Sequence, residues 1–549
     1  VNAGAPATFV DRLGASVTLT LGPGKTFVVP AGNLKRFRLE LEPWGFAASL
    51  EWWVVSKLSQ SEDTLFDDFV KRDLLPIELQ LDRTFDAVGE TAAPLLVKGL
   101  VTSRAVSERS FADVDGEPVL QRQYRVTAED RGGALWKQHF PVALHADDTL
   151  KTLLQANLPE GVRLTIDWAP AEAKHAVQSL PLGASGSVTG GAASYRDYLV
   201  WLLDREHGGL FFDAATGAYA IRGVKARAGE TIDVPVEDVR ELDVLLPEAP
   251  RSKVRVWNGH AAASTRQKDG TNAQAIANVR SDHLIVSAIG ADLDARSTLE
   301  AKRAVAPLPR LRLAFARYPS VTLAPGKTYR FQEDWSTHRF VSGKTFRLVG
   351  LSIAAEAERL DPADDVDDDT NGYVLSVEAR LESEGEKRFH LPPHATPRWP
   401  FFVEGKVVST LGADDERTWQ LRKDSGTSLE YYLVEIPLWK KKVICPHEPH
   451  FSSGQFFFPA DKGERVLVAL EHRGARIERF LDWRAGAVLP KDTQGNHLLF
   501  GKKATSETSL RHVYEENKPV LRLARTSAKD TQVLEVKEGV IRLETKEEP

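Results

Sequence analysis

Three kinds of stretch in this chain hold residue types that could do chemistry. Gly-Lys-Thr occurs at Gly24-Lys25-Thr26, Gly326-Lys327-Thr328 and Gly343-Lys344-Thr345. A phosphate-cradling loop needs a second glycine five residues before the Gly-Lys pair and a helix after it, so that backbone N–H groups converge on phosphate. Leu19, Val321 and His338 stand at those earlier positions, and each tripeptide runs into an alternating stretch, TFVV, TYRF or TFRL. These read as turns entering strands. Within the acidic loop Asp364–Asn371, the segment Asp367-Asp368-Asp369-Thr370-Asn371-Gly372, with Glu378 following, has the spacing of a calcium loop: oxygen ligands, a glycine turn and a bidentate glutamate. Such a loop must sit between helices, whereas FRLVGLSIAAEAE and YVLSVEARLE alternate like strands. It reads as the solvated tip of a long hairpin. Cys445-Pro446-His447-Glu448-Pro449-His450 gathers zinc-type donors, but zinc sites draw ligands from two separated pairs, and two prolines stiffen this run. No G-x-S-x-G elbow, no H-E-x-x-H and no cysteine-nucleophile signature occurs. The reading is a chain with no catalytic residue, no cofactor and no metal, and not an enzyme.

The elements that carry these turns are mostly strands. SVTLTLGPGKTFVV, Ser16 to Val29, is two alternating runs about a Gly-Pro-Gly turn. SVTLAPGKTYRF, Ser320 to Phe331, echoes it and predicts a second hairpin, hence a second related barrel. Between them the character changes: Asp148 to Asn157 predicts a helix. So do Tyr195, Tyr198, Leu199, Leu202 and Leu203, an apolar stripe at helical spacing with Ser194 and Asp197 as a capping box and Gly208-Gly209 as the stop. In FFFPADKGERVLVAL, every position from Val466 to Leu470 is apolar, as in a strand covered on both faces. Pro459 and Gly463 mark the turn before it, and Gly474 the turn to a second strand, a pattern suited to a small OB barrel. At the end, Leu534 and Val536, then Ile541 and Leu543, recur at period two around Gly539. Strands this short and one-sided cannot bury their apolar faces alone.

At 549 residues the chain holds several domains, since single cores rarely exceed about 250–300 residues. A net charge of −6 argues against a dedicated nucleic-acid binder. One cysteine excludes an internal disulfide and a cysteine-rich zinc site. No run approaches the roughly 18 apolar residues of a membrane span, and the start lacks the pattern of a secretory signal.

The run P-x-x-x-G-E-x-V-L-V with a later Gly turn, at Pro459, Gly463, Glu464, Val466, Leu467, Val468 and Gly474, resembles the OB domain of VgrG-type spike proteins of type VI secretion and related contractile injection systems. SYRDYLVWLLDREHGGLFF resembles the helix-then-strand segment of the same family. Gly474-Ala475-Arg476 stands where the family has a Gly-Asp-Pro turn, which marks a divergent member.

The resemblance implies a mainly β fold with a smaller α/β part. Its parts would be a first hub β-barrel at 1–145, an α/β hub insertion at 146–250, a second hub β-barrel at 251–385, an OB-fold domain at 386–490, and an intertwined trimeric β-prism at 491–549. It implies a homotrimeric structural spike that caps the inner tube of a phage tail-like machine and punctures the target membrane. The partners it implies are an Hcp-like tube protein, baseplate proteins, a PAAR-like tip protein and an effector as cargo, with no nucleic acid. Such a chain would assemble in the bacterial cytoplasm without a signal peptide and leave the cell by contraction, with a short spike and no appended toxin. Pro459, Gly463, Val466, Val468 and Gly474 would shape the OB barrel; Leu534, Val536, Ile541 and Leu543 would lie at the trimer axis or between chains. A second reading is an OB-based, multi-barrel binder of carbohydrate or single-stranded nucleic acid. It expects a monomer with a basic, aromatic groove, at which only Lys440, Lys441 and Lys442 beside Trp439 hint.

Overall fold

The computed structural model describes residues 8–57, 63–84, 93–114, 116–184, 192–225, 230–261, 263–287, 289–331, 340–360, 368–414, 416–424, 430–447, 459–481, 495–503 and 505–547. The chain is mainly β. It divides into two compact units, the first formed by Val1–Phe140, Leu154–Glu172 and Ala193–Thr396, the second by Pro141–Leu153, Ala173–Ala192 and Pro397–Pro549.

The first unit is built on a 13-stranded sheet. Eight of its strands close a ring of antiparallel pairs: β1 (Phe9–Gly22), β2 (Leu34–Glu42), β3 (Gly45–Lys57), β4 (Pro76–Arg83), β5 (Leu95–Val114), β6 (Glu117–Glu129), β7 (Thr345–Ala357) and β8 (Thr370–Ser383). The pairing runs β2–β3–β6–β5–β4–β1–β8–β7 and back to β2. The alternation of the sequence explains the closure. Leu39 and Leu41, Leu50 and Trp52, Leu79 and Leu81, and Ile353 and Leu375 are all buried, while charged residues such as Arg38 and Glu40 take the alternate positions. Aromatic rings fill the interior, Trp52 stacked on Tyr124 at 5.6 Å and Phe37 edge-on to Tyr373 at 5.7 Å.

β7 and β8 are long enough to serve twice. Their other halves pair with Thr328–Phe331 and Arg310–Phe315, which in turn pair with Ile232–Val234 and Val239–Leu245. The ring and this second, six-stranded sheet therefore share two continuous strands. Lys253–Asn258 and Arg280–Ile285, expected within a second barrel, instead form a separate three-stranded sheet with Gln267–Asp269. A helix of residues Gly290–Arg303 follows that sheet.

The expected second hairpin does not form. In the first copy Ser16–Gly22 pairs with Lys25–Pro30. In the second, side chains take the backbone groups that a partner strand would use. The Asp238 carboxylate accepts from Ser320 N and Oγ at 2.8 and 2.6 Å, and Tyr329 Oη accepts from Ala324 N and donates to Thr322 O. The predicted helix at Tyr195–Glu206 is present with both bonds of its capping box. Its end differs from expectation: His207 takes the left-handed conformation at φ 56°, and Gly208 N donates to Leu203 O.

The second unit begins with β9 (Phe401–Val408), β10 (Glu430–Ile436), β11 (Lys441–Pro446), β12 (Arg465–Glu471) and β13 (Gly474–Phe480). β9 pairs with β10 and β12, β10 with β11, and β12 with β13, the strand order of an OB barrel. Its core holds Val434, Ile436, Val443, Cys445, Val466, Val468 and Leu470. The hairpin of Val142–Thr149 with Lys174–Pro181 adds Leu144, from the stretch expected in the first hub barrel, and Val177, from that expected in the hub insertion, to that core. The chain then makes a five-stranded antiparallel meander, β14 (Gly495–Lys503), β15 (Ser506–Glu515), β16 (Lys518–Ser527), β17 (Asp530–Lys537) and β18 (Val540–Lys546).

Candidate functional site

The tempting motifs resolve into structure. Gly24, Gly326 and Gly343 all have positive φ, 71°, 89° and 65°, and each precedes a strand, never a helix. The acidic segment lies between the arms of the β7–β8 hairpin. Of its calcium-type positions, Asp364 to Asp367 lie outside the described residues, and Asp368 and Asp369 are tied through their carbonyls to Gly32 N and Ala15 N. Asn371, Gly372 and Glu378 are strand residues of β8. Cys445 sits in the OB core, and His447 lies edge-on to Tyr432 at 5.3 Å. Glu448, Pro449 and His450 lie outside the described residues. Among the described residues, no group of three or more His, Cys, Asp or Glu is placed to hold a metal ion, and no helix is long and apolar enough to cross a membrane.

Two buried ionic groups stand out in the first unit. A cleft of about 720 Å³ in the first unit is lined by Phe211, Phe389, Arg347, Glu382 and His390. The Glu382 carboxylate accepts from Lys225 at 2.7 and 2.8 Å, Arg347 at 2.9 Å and His390 at 2.9 Å. Burial pushes this carboxyl up, but the His390 hydrogen bond and the Lys225 charge outweigh it and hold it below its ordinary value. Three cationic or imidazole side chains thus hold one carboxylate in place. Asp130 caps a short helix by accepting from Gly133 N, and also accepts from Phe46 N and Tyr219 Oη. There burial wins, and the Asp130 carboxyl is raised.

The OB residues occupy a turn and a core strand. Gly463 has φ 81°, a conformation that favours glycine, and its N–H donates to Val407 O at 2.9 Å. Val466 and Val468 are fully buried, Pro459 is half-buried before the turn, and Gly474 opens β13.

The C-terminal meander differs from everything before it. Leu534 pairs with Leu543 and Val536 with Ile541, so these four share one face. The same register carries Leu523 and Leu521 of β16, Leu510 of β15, and Leu498 with Phe500 of β14 onto that face. These nine apolar residues form one contiguous surface. Ile541 is 73% exposed and Leu543 80% exposed. The opposite face carries ion pairs, Arg522 with Glu535, Lys537 with Glu535 at 3.3 Å and Arg542 with Glu544 at 2.8 Å, beside the buried Val513 and Val520. Arg522 and Lys537 hold the Glu535 carboxyl low. Leu498, Phe500, Leu510, Leu521 and Leu523 were not singled out from the sequence, although alternation in TSLRHVYE and KPVLRLARTS carries the signal. An exposed apolar face of this extent is uncommon on a soluble chain.

No family model matches the sequence, and no curated protein matches it. Solved structures do. A chain of the lidless PdpA–VgrG complex superposes with a TM-score of 0.72, at 10% identity, over 98% of this chain and 99% of its own. In the half-lidded Francisella PdpA–VgrG complex the TM-score is 0.73, at 10% identity, over 98% and 89% of the two chains. The lidded Francisella complex gives 0.72, at 11% identity, over 98% and 80%. At this level of identity the likeness is one of fold. More particularly, the fold is VgrG-like from end to end, although nine residues in ten differ.

Proposed function

We propose that the chain is one subunit of a homotrimeric spike in a contractile injection machine. Two hub barrels within 1–385 would cap the inner tube, the OB domain at 386–490 would join hub to needle, and 491–549 would form a β-prism. The observation that carries this reading is the uncovered apolar face of the meander. Three copies placed about one axis would each bury that face against the other two, leaving the ion-paired faces outward. At about 25 cal/mol per Å² of apolar surface removed from water, a face of nine such side chains is a large drive to associate. The role is mechanical: sheath contraction pushes the tube, and the trimer concentrates that load on a narrow tip to puncture a membrane. The partners are a tube protein, baseplate proteins, a PAAR-like tip protein and an effector as cargo. The solved neighbours are named for a complex of VgrG with PdpA, which favours a protein partner here as well.

The test is native mass by light scattering, with resistance to SDS at room temperature. The expected mass is three times the 60.7 kDa chain. A folded monomer at high concentration would overturn the reading and return attention to an OB-based binding module.

A further inference from the structure

The turn joining β10 to β11 is Pro437-Leu438-Trp439-Lys440, with Lys440 in the left-handed region at φ 53°. Leu438 is 71% exposed at its apex, and Lys440, Lys441 and Lys442 are exposed beside it. In register across the neighbouring strands, Lys442 faces Glu435 and Glu435 faces Lys406, which is also exposed. None of these four lysines enters an ion pair among the described residues. Arg465, next in the row, is neutralised by Glu404 at 2.8 Å. Four lysines against one carboxylate leave a local charge of +3 on a chain whose total is −6. Trp439 packs against the OB core.

We propose that this hairpin tip docks on an anionic lipid bilayer, with the lysines at the headgroup phosphates and Leu438 inserted at the acyl boundary. Unpaired cations around a protruding apolar side chain complement such a surface in both charge and polarity. A single-stranded nucleic acid fits less well, because it needs an aromatic platform for its bases and the Trp439 ring is committed to the core. The inference stands apart from trimer formation.

The test uses the full chain with vesicles of phosphatidylcholine alone or with about 30 mol% phosphatidylserine, read by co-sedimentation, with native mass measured on the same samples. The expected result is binding to the anionic vesicles that weakens as salt shortens the screening length. Replacing Lys440, Lys441 and Lys442 together by Gln should weaken it about a hundredfold, at about fivefold per lysine. Leu438→Ser should weaken it several-fold at every salt concentration. Any binding through the apolar face of the meander would persist on neutral vesicles and be equal in all variants. The thermal midpoint of each variant reports folding; should the triple variant fail to fold, Leu438→Ser and the salt series still decide. Equal binding to both vesicles, binding to neither, an unchanged triple variant, or tighter binding to single-stranded DNA than to vesicles would each overturn the proposal.

Discussion

The ring of the first unit and the C-terminal meander share one sequence pattern, apolar and polar residues in alternation, and reach opposite states of burial. In the ring, Leu39 of β2 and Ile353 of β7 are register partners on neighbouring strands and both are buried. In the meander, Leu534 and Leu543 face each other just as directly, yet Leu543 stays 80% exposed. The difference is topological. Eight strands curl round and supply their own second layer, whereas the five of the meander end in two free edges and leave one layer without a lid. Alternation specifies which face is apolar; closure decides whether the chain can cover that face itself.

The comparison can be broken where it is sharpest. Replacing Leu534 and Leu543 together by Asp should reduce the native mass to that of one chain. A carboxylate left without a partner in an apolar interface costs several kcal/mol, so association should weaken by at least about a thousandfold. The folded circular dichroism should be retained. An undiminished mass would mean that the face is covered by something other than copies of itself.

Glu382→Gln acts in the first unit and should cost about 3–5 kcal/mol, because Lys225 and Arg347 are left buried without their counter-charge. The same group gives a pH dependence. Its carboxyl is held below the ordinary 4.5 in the folded chain, so its stabilisation is complete above that value and is lost as pH falls through the depressed one. Acid unfolding of the wild type should therefore be steeper than that of Glu382→Gln, and parallel curves would show that the network is not coupled to folding. Leu39→Ala should cost about 2–5 kcal/mol at any protein concentration, since the ring is self-contained. A concentration-dependent loss there would erase the distinction between the two regions.

Local features were legible in the sequence. Tyr195, Tyr198, Leu199, Leu202 and Leu203 fall at helical spacing behind a capping box, and all are buried as that pattern demands. The apolar run Val466–Leu470 is a covered core strand, and the four meander residues share the face expected of them. The helix Gly290–Arg303 was hidden, because its inward side is Leu293, Ser297 and Glu300 rather than an apolar stripe. Glu300 is buried there against Arg296 and Arg303 at 2.8 and 3.2 Å, with His283 at 3.5 Å. The repeat at Ser320 misled for a similar reason: Asp238, 82 residues away, intercepts the backbone that its twin at Ser16 gives to a neighbouring strand. Long-range pairing leaves no periodic trace, so the double use of β7 and β8 could not be seen either.

That double use has a consequence for how the chain can be divided. A fragment ending near residue 250 would carry six strands of an eight-strand ring and expose two raw edges. The remainder would carry the two missing strands bound to a sheet that lacks its own outer members. Neither piece is a module that could be inherited, exchanged or produced alone. A change of length in β7 or β8 alters the ring and the second sheet at once.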